Sequence, residues 1–285
     1  MVPKVTLGEW VVRLVENYID SPDNSFNDIG EPAWDKPLVG FSRGADPLYD
    51  FYKRDIGSFY VLPTEFMRDA HPSLQVKADE LTVISWVLPQ TKATKYDHRK
   101  ETRMPSERWA RARIMGEAVN NRLRSHIVDE LEKAGYPAVA PVLSHLWKQH
   151  MSEKYLFASS WSERHAAYAA GLGTFGLSDG LITEKGKAHR VGSVIAKIGI
   201  PPTPRPYADY HAYCLWYAKG TCGVCIKKCP AGAISEKGHD KQKCSDYVDT
   251  TRAFVDETYH FKGYGCGLCQ VGIPCESRIP EGIDV

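Results

Sequence analysis

Apolar positions along the chain change their period several times, and each change marks an element. Leu7, Trp10, Val11, Leu14, Val15 and Tyr18 recur at helical spacing, and Thr6 with Glu9 forms a capping-box pair ahead of them, so the chain is expected to open with an amphipathic helix. Residues from Ser21 to Gly57 are rich in Pro, Gly, Asp and Asn and also in aromatics. That mixture predicts irregular chain wrapped over a core, with a short helix after Asp46. Leu81 to Leu88 (LTVISWVL) is an unbroken apolar, β-branched run of strand length, the pattern of a central strand buried on both faces. The longest helical pattern follows Pro105 and Ser106 and runs through Trp109, Ile114, Ala118, Leu123, Ile127 and Leu131 to Gly135, where glycine suits the left-handed position that ends a helix. A strand is expected at Ala138 to Val142, a helix at Ser162 to Ala170 stopped by Gly171 and Gly173, and strands at Gly180 to Thr183 and Val191 to Ile198.

Helices alternating with strands through about residue 205, followed by a cysteine-rich segment, predict an α+β class. The domains expected are an α/β cofactor and substrate domain over 1–205 and a small module over 206–285, with the Pro-rich IPPTPRPY (Ile200 to Tyr207) at their junction. At 285 residues and 43% hydrophobic, the chain has ample material for a packed core, which excludes disorder. Lys and Arg (36) balance Asp and Glu (35) to a net charge of +1, too little to attract a polyanion, so there is no strong nucleic-acid signal. The N-terminus lacks a basic stretch followed by an apolar run, so neither a secretory signal nor a membrane span is expected there and the reading is cytoplasmic.

Cysteine usage narrows the chemistry. No cysteine precedes Cys214 and eight follow by Cys275. In a cytoplasmic chain such clustering favours metal over disulfides. Cys214, Cys222, Cys225 and Cys229 followed by Pro230 form a C-x7-C-x2-C-x3-C-P run. It is the bacterial two-cluster ferredoxin pattern with its first gap stretched, and in that pattern the fourth cysteine ligates the other cluster. Cys244, Cys266, Cys269 and Cys275 form C-x21-C-x2-C-x5-C. Applying the crossover, Cys214, Cys222, Cys225 and Cys275 are assigned to one 4Fe-4S cluster and Cys229, Cys244, Cys266 and Cys269 to the other. Two four-cysteine zinc sites are the competing reading, since x2 pairs suit zinc equally. Two adjacent clusters make an electron wire, and some 200 residues upstream are more than a plain ferredoxin needs. They point to a second redox cofactor or a substrate at its end.

The segment SERHAAYAAGLGTFGLSDGLITEKGKAHRVGSVI (Ser162 to Ile195) followed by this cysteine pattern resembles the cobalamin-dependent iron-sulfur reductases, the epoxyqueuosine reductases and reductive dehalogenases. The resemblance covers about residues 150 to 280. It implies a nitroreductase-like fold with a C-terminal ferredoxin-like module, two 4Fe-4S clusters, cobalamin, an external electron donor of ferredoxin or flavodoxin type, and a small-molecule or nucleoside-like substrate. It also implies that Gly171, Gly173, Gly176, Arg190 and Gly192, with the strand region Leu181 to Val194, lie against the corrin, and that His189 is within reach of it. Glycines let backbone approach a flat macrocycle, although the same glycines can simply end a helix and shape a turn. One departure stands out. The acidic proton donor that epoxyqueuosine reductases carry before the Glu-Arg of the matching helix falls here on Phe157, while reductive dehalogenases use a tyrosine with a basic group, for which Tyr155 and Arg164 are the candidates. Two rivals keep the fold: an FMN enzyme with flavin in the same place, and an electron-transfer or accessory subunit of corrinoid metabolism with no substrate of its own.

Overall fold

The computed structural model describes residues 5–26 and 29–283. The first four residues of the N-terminal segment lie outside it. Helix α1 (Leu7–Ile19) begins as its capping box requires: Glu9 N–H donates to the Thr6 hydroxyl and the Glu9 carboxylate accepts from Thr6 N–H at 2.8 Å. The stretch expected to be irregular contains strand β1 (Leu38–Arg43) before helix α2 (Pro47–Asp55), which opens at Asp46. β1 escapes a pattern search because its exposure does not alternate, its inner residues Gly40, Phe41 and Ser42 being buried in succession. Helix α3 (Pro63–Ala70) follows, then strand β2 (Thr82–Pro89), all eight residues buried, and the short helix α4 (Lys92–His98).

Helix α5 (Glu107–Lys133) is the longest element, and Gly135 just beyond it has φ +86°, a conformation that favours glycine. Strand β3 (Ala138–Val139) is shorter than expected because Pro141 starts a 3-10 turn. A hairpin of β4 (Gln149–Ser152) and β5 (Leu156–Ser159) precedes helix α6 (Glu163–Ala169). The hairpin β6 (Gly173–Phe175) and β7 (Leu181–Thr183) then leads to strand β8 (His189–Ala196).

The main sheet runs β1-β2-β8-β3, and each of its pairings is antiparallel. Period-two alternation sorts β2 between two helical layers. Ile84, Trp86 and Leu88 join Val11, Val15, Val119, Leu123 and Ile127 from α1 and α5, whereas Val83 joins Tyr49, Phe66, Trp161, Ala166 and Ala169 on the other face. A strand covered on both faces must be apolar throughout, and that requirement makes β2 legible in the sequence. Trp86 is fully buried; its indole N–H donates to Asn120 at 2.9 Å and it sits opposite Gly192 of β8.

Beyond the extended chain at 200–207, two one-turn helices, α7 (Leu215–Lys219) and α8 (Val224–Lys228), are followed by the small pair β9 (Ile234–Ser235) and β10 (Gly238–His239). Helix α9 (Lys241–Tyr259) fills most of the long gap between Cys244 and Cys266. Sequence pattern predicts no helix there, because α9 is amphipathic only weakly and buries just Thr251 and Val255. The tail returns to the main domain: Lys187 and Ala188 donate backbone hydrogen bonds to Cys275 and Glu276, and Glu276 is held by Arg99 beyond α4.

Candidate cluster sites and an adjoining cavity

Tight helices and left-handed turns set the positions of the cysteines. Cys214 caps α7, Cys225 lies inside α8 and Cys229 ends it, Cys244 occupies the first turn of α9, and Cys266 and Cys269 flank Gly267, whose φ is +68°. A Cβ on Gly267 would fall 2.1 Å from the Trp109 ring, so this turn tolerates only glycine and seats the Cys266–Cys269 pair directly on α5. The Ala233 N–H points at Cys229 Sγ, 3.3 Å away.

The eight thiols divide into two sets of four. Cys229, Cys244, Cys266 and Cys269 border a cavity of about 270 Å³, and Cys214, Cys222, Cys225 and Cys275 border a second, smaller one. Among the described residues no three His, Cys, Asp or Glu side chains gather closely enough to hold a single ion. Burial, above all, pushes the Cys244 and Cys275 thiols up to about 11 and Cys266 to about 12, and raises Cys225 and Cys269. Burial thus disfavours the free thiolates, and positive charge bound among them would stabilise them.

The larger cysteine cavity is also lined by Gln90, Arg113, Arg164, His189 and Arg190. His189 Nε2–H donates to the Leu181 carbonyl at 2.8 Å, leaving Nδ1 as an acceptor, and burial holds the ring down to about 4, so it is neutral. Nδ1 of His189 and Oε1 of Gln90 are buried without a partner among the described residues. Of the residues implied to meet a corrin, then, Arg190 and His189 face a cavity. Gly176 lines the smaller cysteine cavity, and each of the four glycines is also closely approached by the chain itself. An added Cβ would fall 2.5 Å from Pro204 O at Gly171, 2.2 Å from Ile182 O at Gly173, 3.1 Å from Ile182 Cδ1 at Gly176 and 2.4 Å from Trp86 at Gly192.

Next to the cysteine cavity lies an open cavity of about 660 Å³ between the β4–β5 hairpin, α6 and the start of α9, and Arg164 lines both. Tyr155 and Arg164 are among its lining residues, as is Phe157. Tyr155 Oη donates to Asp55 Oδ2 at 2.6 Å, and Lys154 Nζ reaches the other carboxylate oxygen at 2.5 Å. The ammonium groups of Lys154 and Lys241 stand 5.0 and 5.2 Å from the Tyr155 ring centre. Burial acts to raise the Asp55 carboxyl, but the hydrogen bonds from Lys154 and Tyr155 outweigh it and hold Asp55 below its ordinary range; burial and then Asp55 keep the Tyr155 phenol above its own. Asp55 comes from α2, about 100 residues upstream, and nothing local in the sequence marks it.

His165 sits deeper, hydrogen-bonded to Ser162 Oγ at 2.7 Å and Tyr210 Oη at 3.2 Å. Burial, then the charges of Arg164 and Lys241, hold its ring down to about 3, so it too is neutral. Tyr210 stacks on Phe175 with ring centres 4.4 Å apart. His165 lies inside the quoted motif beside Arg164, yet a lone histidine there gives no sign of its tyrosine partner from beyond the junction. Glu163, by contrast, is tied to Arg124 at 3.1 Å and to Ser193, which fixes α6 to α5 and β8.

The chain matches a 4Fe-4S double cluster binding domain over residues 220–273. Over 119 residues, 40% of its length, it is 34% identical to an epoxyqueuosine reductase of Bacillus anthracis and 29% identical to that of Staphylococcus aureus. Those matches span only 29% of either enzyme. A catabolic reductive dehalogenase shares the fold across 95% of this chain and 37% of its own, at 14% identity and a TM-score of 0.52. The resemblance to iron-sulfur reductases is borne out, and so is the α+β fold carrying a two-cluster module.

Proposed function

We propose that this chain, a relative of the epoxyqueuosine reductases through its 4Fe-4S double cluster domain, is an iron-sulfur reductase. Its two clusters would pass electrons to a site in the 660 Å³ cavity, where an organic substrate takes up two electrons and a proton. The observation that carries the reading is the shared wall: Arg164 lines both the cavity bordered by four cysteines and the open one. A plain electron carrier has no need of a second, larger cavity beside its cluster.

Cobalamin is the cofactor that the residues suit. Phe157 and Met151 on the β4–β5 hairpin are 40% and 63% exposed at the rim of the open cavity, an apolar edge that a macrocycle would cover. The unpaired acceptors His189 Nδ1 and Gln90 Oε1 belong to residues that line the adjoining cysteine cavity, where a carboxamide side chain of a cobalamin reaching across the shared wall would donate to them. When bound, it would supply a low-potential cobalt able to exchange electrons with the substrate. Tyr155 is the proton donor in this reading. Asp55 keeps the phenol protonated and oriented, and the Lys154 and Lys241 ammoniums stabilise the phenolate once the proton has left. Arg164, between the two cavities, offsets the negative charge that arrives with the electrons. The substrate class remains that of the relatives, a small organic molecule or modified nucleoside, and the electron donor a ferredoxin or flavodoxin.

Anaerobic purification from a corrinoid-supplied host, with iron, sulfide and cobalt analysis and visible spectra before and after reduction, tests this. About eight irons and about one cobalt per chain are expected. Full iron with no cobalt, even after incubation with cobalamin, would remove the corrin, and a bound yellow cofactor would put FMN in its place.

A further inference from the structure

A buried cation, Lys187, stands between the two sets of cysteines. Lys187 is 3% exposed and lines the cavity of Cys214, Cys222, Cys225 and Cys275. Its Nζ donates at 2.7 Å to the hydroxyl of Ser178, which lines the other cysteine cavity. The Lys187 backbone N–H donates to the Cys275 carbonyl at 2.8 Å. Its stem is pinned as well, since a Cβ on Gly180 would fall 2.7 Å from Lys187 Cδ. The carboxylate next to Cys275, Glu276, is already taken by Arg99 in a two-point ion pair. The ammonium is therefore buried with a neutral hydroxyl as its hydrogen-bond partner.

A buried charge without a counter-ion costs several kcal/mol, so it is retained where another charge compensates it. Lys187 borders one set of four cysteines and, through Ser178, reaches the cavity of the other, so the thiolate-ligated clusters of both sets would supply the compensating charge.

We propose that Lys187 is a potential-tuning residue wedged between the two clusters, its fixed positive charge favouring the reduced state of both. Reduction adds one electron to a cluster whose thiolates already make it anionic, and a cation held close in a low-dielectric interior stabilises that added charge more than the oxidised form. Ser178 orients the ammonium between the cavities. The inference rests on the two-cluster reading of the cysteines and is independent of what lies in the open cavity.

The test is an EPR-monitored redox titration of the anaerobic full-length protein and its Lys187→Met, Lys187→Arg and Ser178→Ala variants, with iron and sulfide counted in each. Lys187→Met removes the charge at nearly the same length. With full cluster content, its reduction equilibrium at one or both clusters should weaken tenfold or more, about 59 mV downward for a one-electron couple. Lys187→Arg should keep the wild-type potentials, and Ser178→Ala should shift them by less than Lys187→Met. Unchanged potentials in a fully loaded Lys187→Met protein would overturn the assignment. If Lys187→Met fails to hold its clusters, unchanged potentials in Ser178→Ala overturn it instead. Wild-type protein without iron would defeat the cluster reading itself, a different outcome.

Discussion

Gly192→Ala separates two roles for a glycine that resemblance places on a cofactor and the structure places against a tryptophan. The new Cβ would fall 2.4, 2.5 and 2.7 Å from Nε1, Cε2 and Cζ2 of Trp86, whereas real Cβ contacts essentially never come under 3.0 Å. Trp86 has nowhere to go: it is 0% exposed, packed among α1 and α5 residues, and its N–H is fixed on Asn120. Overpacking a full core costs about 1–3 kcal/mol, and dislodging the indole N–H leaves a buried donor unsatisfied at about 1–3 kcal/mol more. The sum is about 2–6 kcal/mol, a large part of the stability of an ordinary domain. Anaerobic chemical unfolding followed by tryptophan fluorescence, with the iron-sulfur absorbance recorded in parallel, measures it. The main-domain transition should move to lower denaturant while the spectrum of the folded protein is unchanged. A Gly192→Ala protein of wild-type stability that had lost cobalamin binding would refute the packing argument and restore the glycine to the cofactor.

Other outcomes follow from the two sites. Tyr155→Phe removes the proposed proton donor, so single-turnover reduction should slow by about 10²-fold or more with metal content unchanged; an unaffected rate would move the role to Tyr210. Cys266→Ser and Cys222→Ser belong to different sets and should each halve the iron, from about eight to about four per chain, with the remaining EPR signals differing between the two variants; identical residual signals would break the assignment. His165 is held down to about 3 from an ordinary 6.5. Its unfolded form therefore binds a proton first, and the stability it contributes is full above 6.5 and is lost as pH falls below that value. His165→Gln should accordingly flatten the stability loss between about pH 7 and about pH 5, measured by chemical unfolding at each pH; an unchanged slope would show that His165 protonates freely in the folded chain.

Local pattern alone determined the elements whose environment is uniform along their length. β2 is apolar at nearly every position because both of its faces are covered, α1 announces itself through a capping box, and α5 through sustained period and a glycine exit. Cysteine spacing likewise predicted two sets of four, because a cluster's ligands come from fixed short offsets plus one crossover. Tertiary structure decided the rest. β1 and α9 lack a clear periodic face, so their neighbours rather than their own residues define them. The glycines of the motif read the same whether they face a cofactor or the chain, and the close approach of Trp86, Ile182 and Pro204 to them emerges only in three dimensions. Asp55 and Tyr155 meet across about 100 residues, and Lys187 acquires its meaning from cysteines up to nearly 90 residues downstream, Cys275 among them. Burial and electrostatic coupling are properties of what surrounds a side chain in space, and a linear sequence records that only where the partners lie within a few turns of each other.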